Sequence, residues 1–109
     1  MTLAALLEEL REVDPGEWDN LTMWNVNKEL PETSPLSMFI IQGCIQRACE
    51  RPDHQWPFHV AYYPPEGPNV PYYQAYIWPA LKCHTAQADT AAEALLAAYI
   101  AAVREEAKR

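Results

Sequence analysis

Residues 55–88, QWPFHVAYYPPEGPNVPYYQAYIWPALKCHTAQA, have the residue pattern of β-strands, whereas the rest of the chain has that of helices. Apolar side chains recur at every second position in residues 55–63, which is the period of a strand. The same alternation returns in residues 72–78, after a proline-rich loop, and again in residues 81–88. Pro57 and Pro79 cannot donate to a central ladder, so we place them at strand ends or edges. The stretch predicts a three-stranded antiparallel meander.

A hairpin that sets Phe58 opposite Ile77 divides the aromatic side chains between two faces of this sheet. The predicted core face holds the pairs Phe58–Ile77, Val60–Ala75 and Tyr62–Tyr73. The opposite face holds the pairs His59–Tyr76, Ala61–Gln74 and Tyr63–Tyr72. Each Tyr-Tyr pair is therefore split, with Tyr62 and Tyr73 pointing into the core and Tyr63 and Tyr72 pointing away from it.

Four helices are predicted from apolar stripes of helical period and from capping residues. The predicted N-caps are Thr2, Asp14, Ser34 and Thr90, and the third and fourth helices are expected at about 35–50 and up to 103. Trp18, Leu21 and Trp24 or Asn25 share a face of the second helix, which is followed by a break at 31–35. Gly43 costs the third helix about 1 kcal/mol against Ala, which a closely packed neighbour would explain. The order α-α-α-β-β-β-α predicts an α+β fold whose sheet has helices on both faces or one face open for binding.

We predict one domain over residues 1–109, with acidic N-terminal helices in 1–32, a core in 33–103 and a frayed tail in 104–109. Half of the 109 residues are hydrophobic and 21% are charged, which is ordinary globular composition. No run approaches the roughly 20 apolar residues of a membrane span, and the first residues do not resemble a signal peptide. A cytoplasmic location is therefore expected.

The net charge of −7 is concentrated at one end of the chain. Residues 1–32 contain eight acids and two bases, a balance of −6, whereas residues 33–88 contain three of each. Such acidity disfavours nucleic acid and anionic membranes and leaves a protein partner with a basic surface as an alternative. The simplest interpretation of the acids is that they form solvated helix faces.

No pattern of catalytic or metal-binding residues emerges. The side chains that could ligate a metal, His54, His59, His84 and Cys83, do not have the spacing of a metal site, so we expect no metal and no cofactor. Three cysteines with no disulfide pattern indicate free thiols, of which Cys44 and Cys49 are expected in the core. A Cys83–His54 or Cys83–His59 pair remains as a minor catalytic alternative.

The aromatic hairpin is the strongest candidate for a binding site. Eight of the twelve aromatic residues lie between positions 56 and 78. Tyrosine suits binding surfaces because it is large, rigid and carries one hydrogen-bonding group. The predicted contact residues are Tyr63, Tyr72, Tyr76, His59, Glu66 and Asn69. The competing interpretation is that these aromatic pairs only stabilise a long hairpin.

Several stretches of the chain resemble the phage ABA sandwich domain family: PLSMFIIQGCIQRACERP, WPFHVAYY, YYQAYIWP and TAQADTAAEALLAAYIAAV. The resemblance covers roughly residues 15–103, including a helix around 17–30, and the long proline loop departs from the family pattern. It implies an α/β/α layered fold and a phage or prophage origin, with no established chemistry.

The leading functional hypothesis is a non-enzymatic phage or mobile-element accessory protein that blocks or sequesters a host partner, such as an anti-CRISPR-like inhibitor of host defence. A homo-oligomer is a further alternative. The first alternative is a sponge for a nucleotide-like signalling ligand, with Arg47, Arg51 and Lys82 converging near the tyrosines. The second is a small Cys/His-dependent hydrolase.

Overall fold

The computed structural model describes residues 2–23, 34–80 and 82–108. Its helices are α1 (Leu3–Val13), α2 (Pro15–Met23), α3 (Pro35–Glu50) and α4 (Ala91–Ala107), and its strands are β1 (Phe58–Tyr63), β2 (Tyr72–Ile77) and β3 (His84–Ala88). The α+β fold and the order α-α-α-β-β-β-α are as predicted. The predictions for Trp24, Asn25, the break at 31–33 and Leu81 lie outside the described residues.

The helices begin where the capping residues predict. Each cap side chain accepts a hydrogen bond from the backbone N–H three residues on, at 3.2 Å for Thr2, 3.4 Å for Asp14, and 3.1 Å for both Ser34 and Thr90. The Thr90 hydroxyl also donates to the Glu93 carboxylate at 3.1 Å. Side-chain caps satisfy backbone donors that have no partner within the helix, which fixes where each helix starts.

The sheet is antiparallel with strand order β1-β2-β3, and its hairpin register is the predicted one, from Phe58 opposite Ile77 to Tyr63 opposite Tyr72. Pro57 and Pro79 lie just outside the strands. The third strand begins at His84, so the prediction that it includes Lys82 and Cys83 is wrong. The continuing register would set Pro79 against Lys82, and proline has no N–H with which to extend the ladder.

The described helices cover one face of the sheet. α4 packs mainly on β2 and β3 and less on β1, while α3 and α1 pack on α4, and α2 joins α1 to α3. Ala75 and Ile77, on the covered face of β2, are fully buried against this layer. Within the described part of the chain nothing forms a second helical layer, in contrast to the α/β/α arrangement that the resemblance implies.

Two predictions about the edges of the core are wrong. Tyr62 was expected in the core but is 53% exposed, because it lies at the end of the edge strand that α4 covers least, whereas Tyr73 packs against the core. The tail was expected to fray from residue 104, but α4 continues to Ala107. Arg104 pairs with Glu9 at 3.0 Å, which ties this last turn to α1.

Among the described residues, Gly43 has open space beside it, so the closely packed neighbour that would explain this glycine is not found there. A Cβ built at Gly43 would meet no described atom within 4 Å apart from its chain neighbours and the backbone of its own helix. We therefore expect Gly43→Ala to raise the free energy of unfolding by about 0.5–1 kcal/mol, because alanine lowers the backbone entropy lost on folding. Urea denaturation would measure this gain. A destabilised variant would mean that the helix needs glycine at this position.

Candidate binding surface

The face of the sheet opposite α4 is the candidate surface, and we call it the open face. Strand alternation and register assign nine side chains to it: His59, Ala61, Tyr63, Tyr72, Gln74, Tyr76, Trp78, Thr85 and Gln87. His59, Tyr63, Thr85 and Gln87 are exposed and the others are half-buried. Four of the six predicted contact residues therefore lie together on one face that no described helix covers.

The aromatic rings of the open face form a connected group around Tyr76. Its ring lies 5.8 Å from that of His59 and 6.0 Å from that of Trp78, to which it is nearly parallel. Its hydroxyl lies 3.1 Å from the Tyr63 hydroxyl, and this hydrogen bond is the main reason that the pKa of Tyr76 is raised. The Tyr63 ring is stacked on Tyr72 at 4.9 Å. The rings thus hold one another in place in the unbound chain.

Glu66 and Asn69, the other predicted contact residues, lie at the exposed tip of the hairpin. The Asn69 N–H donates to the Glu66 carbonyl at 3.0 Å, which closes a tight turn inside the eight-residue connection. Gly67 has a φ of 59°, the positive value that the first central position of a primed turn requires. A concavity of about 420 Å³ lies between this loop and the open face, lined by Glu66, Asn69, Val70, Tyr63 and Tyr72. The six predicted residues therefore form one continuous region.

The chemistry of the open face is aromatic and neutral. None of its nine side chains is Asp, Glu, Lys or Arg, and its polar centre is a Gln74–Gln87 contact of 3.4 Å. The three basic side chains of the nucleotide-ligand hypothesis do not converge on the open face. Arg51 pairs with Glu17, Lys82 lies 3.6 Å from Glu105, and Arg47 lies on α3. The face is suited to flat, uncharged or aromatic surfaces rather than to phosphate groups.

A second polar group, centred on Arg51, joins the helices behind the sheet. Arg51 contacts Glu17 at 2.8 Å and Asp53 at 3.2 Å and lies 3.7 Å from Asp14. The side chain of Glu17 is only 5% exposed. The prediction that the N-terminal acids form solvated helix faces is therefore wrong for Asp14 and Glu17, which pair with a cation from the end of α3.

Tyr99 and His54 extend this network into the core. The Tyr99 hydroxyl donates to Asp14 at 2.6 Å, and burial, followed by this hydrogen bond, raises the pKa of the phenol. The His54 ring stacks on Trp56 at 3.8 Å, and its Nδ1 donates to the Ala48 carbonyl at 2.9 Å. The network thereby links α2, the end of α3, the following turn and α4, and its role is to hold these elements together.

The residues of the hydrolase hypothesis are not brought together in the described parts of the chain. There, no cysteine thiol hydrogen-bonds to a histidine ring, and the Cys83 thiol instead points to the His84 carbonyl at 3.9 Å. Within the same ranges, no three His, Cys, Asp or Glu side chains are placed to hold a metal ion. The cysteines described are free thiols, as predicted.

Cys49 is fully buried, and burial raises the pKa of its thiol to about 12. The unfolded chain loses this proton near the ordinary value of 9.0, so between pH 9 and 12 the folded state holds the proton more tightly. Stability should therefore fall as pH rises through this window, by up to about 1.4 kcal/mol per pH unit for this one proton. Cys49→Ala should flatten the slope when urea midpoints are compared from pH 8 to 11. An unchanged slope would assign the alkaline loss to other groups.

Sequence reasoning missed two parts of this geometry. Trp78 continues the alternation of β2 and so belongs to the open face. The adjacent Pro79 indicates the end of the strand, and for that reason Trp78 was not assigned to this face. The Arg51 network was missed because its members are 34 or more residues apart in the pairs Glu17–Arg51 and Asp14–Tyr99. The cluster Arg51-Pro52-Asp53-His54 after α3 was the one local signal.

No family model matches the chain, and no curated protein and no solved structure is significantly similar to it. The resemblance to the phage ABA sandwich domain family therefore stays a prediction. In the described residues no helix is long and apolar enough to cross a membrane.

Proposed function

We propose that this chain is a non-enzymatic binding protein that captures a protein partner on its open face and blocks or sequesters it. The observation that carries the proposal is the preassembled group of Tyr63, Tyr72 and Tyr76 on a sheet face that no described helix covers. Tyr63 is stacked on Tyr72 and hydrogen-bonded to Tyr76. Rings held in this way lose little side-chain entropy on binding, so more of the contact energy remains as affinity.

The neutral chemistry of the surface favours a protein partner over a nucleotide-like ligand. An aromatic face with glutamines at its centre resembles the composition of protein interfaces, in which aromatic residues are enriched and charges are depleted at the core. The concavity beside the hairpin tip adds a place where a protruding side chain of the partner would sit. The setting of a phage or mobile element, with a host-defence component as the target, rests on the family resemblance alone.

Capture from a bacterial host lysate at two salt concentrations tests this proposal. The immobilised chain is washed at 0.1 M and at 1 M salt, where the screening length falls from about 10 Å to about 3 Å. A partner that binds the neutral aromatic face should stay bound at 1 M salt. Loss of every captured protein at 1 M salt would instead assign binding to the acidic helices α1 and α2, and capture of nothing would contradict the proposal.

A further inference from the structure

The outer edge of β1 lacks a partner strand among the described residues. In an antiparallel ladder, backbone groups of alternate residues point to alternate sides. The Trp78 N–H donates to the Pro57 carbonyl at 3.0 Å, so residues of the same parity as Pro57 turn their backbone groups toward β2. Phe58, Val60 and Tyr62 therefore turn their N–H and C=O groups outward.

Within the described residues, the strand itself carries none of the sequence features that usually prevent edge-to-edge pairing. Natural edge strands are protected by charged side chains, especially lysine, by bulges or by proline within the strand. β1 reads FHVAYY, with no charged residue and with unbroken pairing to β2 over all six positions. Its prolines, Pro57 and Pro64–Pro65, lie only at its two ends. The edge is a regular, neutral strand in a chain of net charge −7.

A row of apolar side chains beside this edge is incompletely covered. Phe58 and Val60 are half-buried and Tyr62 is 53% exposed, although all three lie on the face that α4 covers. α4 is centred over β2 and β3 and contacts β1 less. The other edge, β3, differs because its exposed side chains are Thr85 and Gln87, so pairing there would bury polar groups.

We propose that β1 pairs antiparallel with β1 of a second copy of this chain about a two-fold axis at Val60. This register sets Val60 opposite Val60 of the second copy. It also sets Phe58 of each copy opposite Tyr62 of the other copy. All three outward-facing residues would then exchange backbone hydrogen bonds, about six in total. The strand is self-complementary because the incompletely buried Phe58 meets the exposed Tyr62.

Such pairing joins the two open faces. Residues that face each other across a ladder project from the same side of the sheet, so both α4 layers would lie on one side. The other side would carry the aromatic group twice, on one six-stranded sheet. This inference does not depend on the identity of any partner and goes beyond the proposed function.

Analytical ultracentrifugation over about 1–200 µM tests the pairing. We expect wild type to reach twice the 12.4 kDa mass of one chain. Tyr62→Lys, which places a charge beside the paired edge, should have the mass of one chain. Thr85→Lys, with the same charge on the β3 edge, should remain dimeric. A monomeric wild type, a dimeric Tyr62→Lys variant, or a dimer lost only in Thr85→Lys would each overturn the proposal.

Disulfide formation tests the register with side chains that leave the edge uncharged. Val60→Cys places a thiol on the two-fold axis, where the Cα–Cα distance of about 5.5 Å allows a disulfide. Mild oxidation should yield a covalent dimer from Val60→Cys, and not from Thr85→Cys or from wild type, which controls for Cys44, Cys49 and Cys83. A covalent dimer from Thr85→Cys alone would assign the contact to β3 and overturn the proposal.

Discussion

Replacing Arg51 by methionine is expected to lower the free energy of unfolding by about 3 kcal/mol. The reason is that the carboxylate of Glu17, whose side chain is 5% exposed, would lose its cation at 2.8 Å. A buried charge left without a partner typically costs about 3–5 kcal/mol, and the lower value applies because a third of the Arg51 side chain is in contact with solvent. Since small domains have only about 5–15 kcal/mol in total, the loss would be severe.

Urea denaturation of Arg51→Met and Arg47→Met gives the comparison. Arg47 lies one turn earlier, in the last turn of α3, and is exposed, so its replacement should change the free energy of unfolding by less than about 0.5 kcal/mol. The double variant Arg51→Met/Glu17→Gln should recover part of the loss, because the uncompensated charge is removed. Equal and small effects of the two arginine variants would show that the Arg51 network contributes little.

Replacing Tyr63 or Tyr72 by alanine is expected to weaken binding of the captured partner by at least about 30-fold each, equivalent to about 2 kcal/mol. The two rings are stacked at 4.9 Å and also line the concavity at the hairpin tip, so either change removes a contact and loosens its neighbour. Because of this coupling, the double variant should lose less than the sum of the two single losses. Calorimetry or surface plasmon resonance would measure the affinities.

The matched control is Phe39→Ala, which removes an aromatic ring that is 78% exposed on α3, remote from the sheet. Its affinity for the partner should stay within about threefold of wild type. Loss of a cross-strand aromatic pair should cost the fold about 0.2–1 kcal/mol, so the tyrosine variants should keep their circular dichroism spectra. Wild-type affinity in the folded tyrosine variants would show that these pairs only stabilise the hairpin.

The hairpin and its register were predictable because a strand repeats every two residues, and a single choice of facing pair then fixes all the others. The same rule placed Tyr63 and Tyr62 on opposite faces of the sheet. It did not predict that Tyr62 would be exposed, since the alternation assigns a face but does not show how far a helix extends over it. The position of α4 over β2 and β3, away from β1, is set by packing between distant segments.

The helix starts were also predictable, because a cap acts within three residues of itself. The partners of Asp14 and Glu17 were not, since each carboxylate could serve as a local cap or reach a distant cation with no difference in local sequence. Asp14 does both, capping α2 through one oxygen and accepting from Tyr99 through the other. The side chains of the candidate surface were predictable from the sequence. The exposure of that surface was not, because it depends on which face of the sheet the helices pack against.

The most direct test of the binding surface is ¹⁹F NMR of the chain labelled with 3-fluorotyrosine and titrated with the captured partner. The chain has six tyrosines, of which three lie on the open face, Tyr62 and Tyr73 lie on the other face, and Tyr99 is buried. Resonances are assigned by single Tyr→Phe variants. We predict that the signals of Tyr63, Tyr72 and Tyr76 shift or broaden while that of Tyr99 is unchanged. A partner that binds while these three signals remain fixed would contradict the assignment of the open face as the binding surface.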